Sequence, residues 1–69
     1  MTPLKSSIIA NIDYDPVDKT LDVTFHNGGT YTYNGVPPET AAAFGRAESP
    51  GQFFQSAIRP NYVGAKQED

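Results

Sequence analysis

Between residues 6 and 33, apolar and polar residues alternate in three short runs, and each run stops at a turn signal. A period of two is the mark of a half-buried strand, and connections this short make the three strands antiparallel neighbours. In residues 6–14, Ile8, Ala10, Ile12 and Tyr14 alternate with Ile9, Asn11 and Asp13. Asp15-Pro16-Val17-Asp18-Lys19 then reads as a turn, because proline sets φ and the aspartates bond back to nearby amides. In residues 20–26, Leu21, Val23 and Phe25 take one face while Thr20, Asp22, Thr24 and His26 take the other. Asn27-Gly28-Gly29 turns the chain again, into a third strand at residues 30–33.

The length of that second turn decides where Tyr31 and Tyr33 point. A two-residue turn at Asn27-Gly28 pairs Phe25 with Thr30 and Thr24 with Tyr31, which puts both rings on the polar face. A three-residue turn of Asn27, Gly28 and Gly29 pairs Phe25 with Tyr31 and Val23 with Tyr33, which puts them on the apolar face. A one-residue slip flips every side chain, and only the three-residue version makes a consistent apolar face of Leu21, Val23, Phe25, Tyr31 and Tyr33. Both tyrosines are therefore expected under the helices. The opposite face is expected to be open and to carry Ile9, Asn11, Asp22, Thr24, Thr30 and Thr32.

Past Asn34-Gly35 the alternation gives way to helical signals. Val36-Pro37-Pro38-Glu39 sets proline and an acidic residue at a helix start, and Thr40-Ala41-Ala42-Ala43-Phe44 continues it. Gly45 and the Ser49-Pro50-Gly51 breaker limit this helix to about three turns. Ser49 followed by Gln52 fits a capping box with Pro50 at the first helical position, so a second short helix is expected over about residues 50–58. Phe54, Ala57 and Ile58 form its apolar face, with Phe53 leaning the same way. Residues 61–64 are read as a short extended edge and 65–69 as a frayed polar tail. The fold expected is α+β: a three-stranded antiparallel meander with two short helices packed on one face.

A chain of 69 residues without cysteine builds only a small core and has no disulfide staple. Tight packing, a partner or self-association must supply the rest, and a homo-oligomer is expected. Five Lys and Arg against eight Asp and Glu leave a formal net charge of -3, which argues against binding a polyanion by charge alone. The opening MTPLKSSIIANI is too short an apolar run for a signal peptide or a membrane span, which points to a cytoplasmic protein with no membrane partner.

The ordered series Gly28-x-x-Tyr31-x-Tyr33, Val36-Pro37, Ala47-x-Ser49-x-Gly51-x-x-Phe54 and Ile58-Arg59-x-x-Tyr62 resembles the KTSC domain. That family is named for the C-terminal extension of some lysyl-tRNA synthetases and also occurs as a stand-alone bacterial or phage protein of about this length. The resemblance covers about residues 6–62. It implies one KTSC-like domain over 1–69, with a core at about 6–63 and a polar tail at 64–69. RNA binding, suggested for the family from its place on a tRNA synthetase, becomes an expectation here.

Ser49 and Gly51 at a helix start, with Arg59 just past the end of the same helix, form the most suggestive polar set. Exposed amides and the helix dipole favour a phosphate or carboxylate there, and Arg59 could clamp it if the fold brings it near. The plainer reading, a cap and a surface arginine, outweighs this. Tyr31, Tyr33 and Tyr62 are candidate stacking surfaces, although packing is the first role expected of each. Asp13, Asp15 and Asp18 lack the glycine and distal glutamate of a calcium loop, and His26 is a lone histidine, so no metal, cofactor or catalytic centre is expected. The leading reading is a small non-enzymatic binding module for RNA or a nucleotide. The alternatives are a protein-interaction or assembly module without a small ligand, and an oligomeric phage-type protein that sequesters a small nucleotide.

Overall fold

The computed structural model describes residues 2–4 and 6–67; Lys5 and the last two residues of the expected tail lie outside them. An antiparallel sheet runs in sequence order through β1 (Thr2–Pro3), β2 (Ile9–Asp15), β3 (Thr20–Phe25), β4 (Gly29–Asn34) and β5 (Gly64–Lys66). Helix α1 (Pro38–Arg46) follows the meander, and α2 (Pro50–Phe53) runs on into a π-helical turn, Phe54–Ile58. The class is α+β as expected, with both helical segments over one face. The strand count is corrected: four strands of three residues or more, and a two-residue stub, replace the three.

The extra edge comes from the tail. Residues 61 and 62 continue the turn that ends the helix, and the chain becomes extended only at Gly64. There it pairs Tyr33 with Gly64 and Tyr31 with Lys66. The Gln67 amide closes the ladder on the Thr30 carbonyl at 2.8 Å, and its side-chain amide donates to Thr32 Oγ1 at 2.8 Å. A Cβ on Gly64 would stand 2.5 Å from Cζ of Tyr33, so only glycine lets this strand lie against that ring.

The tyrosine register holds in parity and shifts in detail. The turn has three residues as expected, but they are His26, Asn27 and Gly28 rather than Asn27 to Gly29, so Val23 pairs with Tyr31 and Leu21 with Tyr33. Gly29 follows at φ 79, a left-handed conformation that strains other residues. A shift of two residues leaves every side chain on its face. Tyr33 is 6 % exposed and Tyr31 half-buried.

The first strand departs further. Ile9 is fully buried and Ile8 is 48 % exposed, the reverse of the expected faces. Ser6 Oγ accepts the amides of Ile8 at 3.1 Å and Ile9 at 3.2 Å, which holds the strand off until Ile9. Ala10 is then the extra residue of a β-bulge, since Ile9 pairs with Phe25 but Asn11 with Thr24. The bulge turns Ile9 to the side of Ile12, and both join a core of Leu21, Val23, Val36, Phe44, Phe54 and Ile58.

The helices keep their expected extents, but the cap at Ser49 does not form. Its side chain makes no capping hydrogen bond, and its backbone, at φ -122 and ψ 83, lies outside the extended conformation that swings an N-cap hydroxyl over the first amides. The Ser49 carbonyl still accepts the first helical bond, from the Phe53 amide at 3.0 Å.

Candidate functional site

Four rings form a continuous belt beside the β3–β4 turn. Tyr31 meets Phe25 edge-on at 5.7 Å, Phe25 meets Phe54 at 5.2 Å, and Phe54 meets Tyr33 at 5.7 Å, all near perpendicular. Edge-to-face pairs of this kind contribute about 0.5–1.5 kcal/mol each beyond their burial. The belt is the wall of an open groove of about 560 Å3. Ser7 and Ile8 form one lip, Asn27 and Gly28 another, and Arg59 stands at the rim.

Two backbone irregularities, the Ala10 bulge and the π-helical turn, serve this groove. Ile8, turned outward beside the Ala10 bulge, becomes part of its lip. The π-helical turn brings in Arg59: the Arg59 amide bonds the Phe54 carbonyl at 2.9 Å, five residues back. In an α-helix residues five apart point about 140° away from each other at 3.6 residues per turn. A π-turn closes its ring over five residues and carries them to nearly the same side. Phe54 and Arg59 therefore line one groove. Bulges and π-turns are both frequent beside functional sites.

The electrostatics are as uneven as the backbone. Among the described residues no carboxylate lines the groove, although the whole chain carries a net charge of -3. Burial pushes the Tyr33 phenol above its ordinary value and Tyr31 adds to the rise, while Arg59 works against it. Arg59 is thus within electrostatic reach of the phenol. Across the turn, His26 Nε2 lies 3.0 Å from the Ser6 carbonyl and its amide donates to the Ile8 carbonyl at 3.0 Å, which ties the two lips together.

Of the residues singled out from the sequence, Tyr31, Tyr33 and Arg59 come together here. Ser49 and Gly51 do not: they sit at the other end of the helical segment, where a Cβ on Gly51 would meet Ile8 Cδ1 at 3.2 Å. Tyr62 packs half-buried against the core and near enough to Tyr14 to push that phenol's pKa up, after burial, Glu39 and Asp15. Phe25 and Phe54 are legible in the sequence as core but not as groove wall. Asn27 is legible as a turn residue, and strict alternation sends Ile8 to the wrong side of its strand. Among the described residues no group of three His, Cys, Asp or Glu could hold a metal ion.

Comparison with known proteins places this geometry in a family. The crystal structure of a KTSC domain protein from Yersinia pestis superposes with a TM-score of 0.92 at 38% identity, covering 96% of this chain and 93% of that one. A protein of Tsukamurella paurometabola is 39% identical over 62 residues, which is 90% of this chain and 92% of its own. A lysine–tRNA ligase of Nostoc punctiforme is 31% identical over 58 residues, 84% of this chain but only 10% of the ligase. The family model of the KTSC domain matches residues 5–62, and with it the groove from Ser7 to Arg59: the chain belongs to the KTSC domain family.

Proposed function

We propose that this chain is a non-enzymatic, cytoplasmic binding module that takes a nucleotide, free or within single-stranded RNA, in the aromatic groove. The observation that carries the reading is the union of four aromatic rings and Arg59 around one open groove that no described carboxylate lines. Every base has a π-face, and stacking on an aromatic side chain contributes about 1–3 kcal/mol per base. Tyr31, half-buried on the groove wall, offers such a face, and Arg59 offers a bidentate partner for phosphate. The lysine–tRNA ligase that shares this domain lends support by its name, since it acts on tRNA.

Titration of uniformly labelled protein with adenosine monophosphate and with short RNA oligonucleotides at low salt tests the reading. Amide shifts should concentrate at Phe25, Asn27, Gly28 and Tyr31. Arg59→Ala should weaken binding at least tenfold while leaving the melting temperature of the free protein unchanged, because an exposed arginine contributes little to folding. Absence of binding by every probe, or an Arg59→Ala titration that overlays the parent, would sink it.

The second reading is an assembly module. Strand β5 pairs with β4 and lies at the edge of the sheet among the described residues, with Val63 beside it 86 % exposed. A second copy adding its own β5 would make a homo-oligomer, and light scattering at micromolar concentration decides between that and a monomer.

A further inference from the structure

We infer that Lys66 is a second phosphate-binding residue of the groove, and that the ligand is an RNA step with a phosphate on each side of the base at Tyr31. The inference rests on the nucleotide-binding reading and goes beyond it. Lys66 is the direct cross-strand partner of Tyr31, so the two side chains rise from the same face of the sheet. Its stem runs along the end of the β3–β4 hairpin: Cε lies 3.5 Å from where a Cβ on Gly29 would stand, next to the Gly28 lip. The strand is held in place on both sides of it, by the pairing of Ala65 with Thr32 and by the Gln67 bonds to Thr30 and Thr32. Lys66 is thus an exposed cation on a strand pinned at both ends.

The other described cations are elsewhere. Lys19 sits in the β2–β3 turn at the opposite end of β3, and Arg46 in the last turn of α1. Arg59 lines the groove from the helical wall, and Lys66 stands beside it on the sheet edge, across from Tyr31. A nucleoside monophosphate offers one phosphate to two cations and a nucleoside diphosphate offers two adjacent ones on the same side of its base, whereas an RNA step offers two separated by a sugar and carrying a stackable base. Lys66 also lies beyond residues 5–62, so membership of the family does not account for it.

The test compares adenosine monophosphate, adenosine diphosphate and the 5′-phosphorylated dinucleotide pApA on the parent, Lys66→Gln, Lys66→Arg and Arg59→Ala. The parent should bind pApA at least tenfold more tightly than either mononucleotide. Lys66→Gln should bring pApA down to the monophosphate level and leave the monophosphate unchanged, with Lys66→Arg keeping the parent affinity. In Lys66→Gln the affinity for pApA should fall less steeply with added salt than in the parent, because one cation–phosphate contact is gone. Thermal melts of Lys66→Gln matching the parent confirm that the fold is intact. Lys66→Gln binding pApA like the parent, while Arg59→Ala weakens it, overturns the role of Lys66 and leaves the groove reading standing. Adenosine diphosphate binding as tightly as pApA overturns the RNA step in favour of a nucleoside diphosphate. No binding by any probe overturns the groove reading and this inference with it.

Discussion

At the Phe25 end of β3 lies the aromatic groove of about 560 Å3, while at its Thr20 end a smaller cleft of about 370 Å3 is lined by Asp13, Asp15 and Asp22. The carboxylates of Asp15 and Asp22 in that second region are occupied with structure. Asp15 Oδ1 accepts the amides of Val17 at 2.9 Å and Asp18 at 3.2 Å, which is how the β2–β3 turn is closed. Asp22 Oδ1 accepts the Thr32 hydroxyl at 2.7 Å on the open face of the sheet. The groove end has no such charges among the described residues, and its polar groups stand on the lips. A net charge of -3 for the whole chain therefore describes neither region. Global charge argues against a phosphate-bearing ligand. Local charge at the groove favours one.

The comparison breaks first at Tyr33. If the groove wall is also core, Tyr33→Ala should cost about 3–5 kcal/mol, as for other buried aromatics, and should leave much of so small a domain unfolded in a thermal melt. Tyr33→Phe should keep most of that stability, because the ring rather than the hydroxyl meets Phe54. A melting temperature unmoved by Tyr33→Ala would mean that the groove is a surface feature like the acidic cleft.

A middle-sized effect belongs to the acidic end. Asp15→Ala removes the acceptor of two turn amides and should cost about 0.5–1.5 kcal/mol in chemical denaturation, while ligand affinity at the groove stays at the parent value. A loss of affinity would show that the two ends are coupled through β3 and are not separate regions.

The smallest effect sharpens the account of the helix start. Ser49 is exposed and makes no cap, so Ser49→Ala should change stability by no more than about 0.5 kcal/mol. A loss near the ~1 kcal/mol typical of an N-cap would show that the hydroxyl caps α2 in solution.

Local pattern alone determined a good part of this protein. The alternation in residues 20–33 and a turn of three residues place both tyrosines on the apolar face of the sheet, and that conclusion survives a turn set one residue too late, although Tyr31 is only half-buried there. Pleat parity is insensitive to a shift of two. Proline, glycine and apolar spacing bound both helical segments, and an ordered set of motifs carries the family. Other features needed the tertiary structure because they depend on partners distant in the chain or on competing hydrogen bonds. The Ser6 hydroxyl and the Ala10 bulge together reverse Ile8 and Ile9, an exchange that strict alternation cannot show. Strand β5 exists because the hairpin edge and the bare Gly64 backbone accept it, while β4 itself lies far back in the sequence, so the same residues read alone as a tail. The i→i+5 bond that aims Arg59 along Phe54 has no sequence signal of its own, and the gathering of the rings and Arg59 at one end of β3 is visible only in the folded chain.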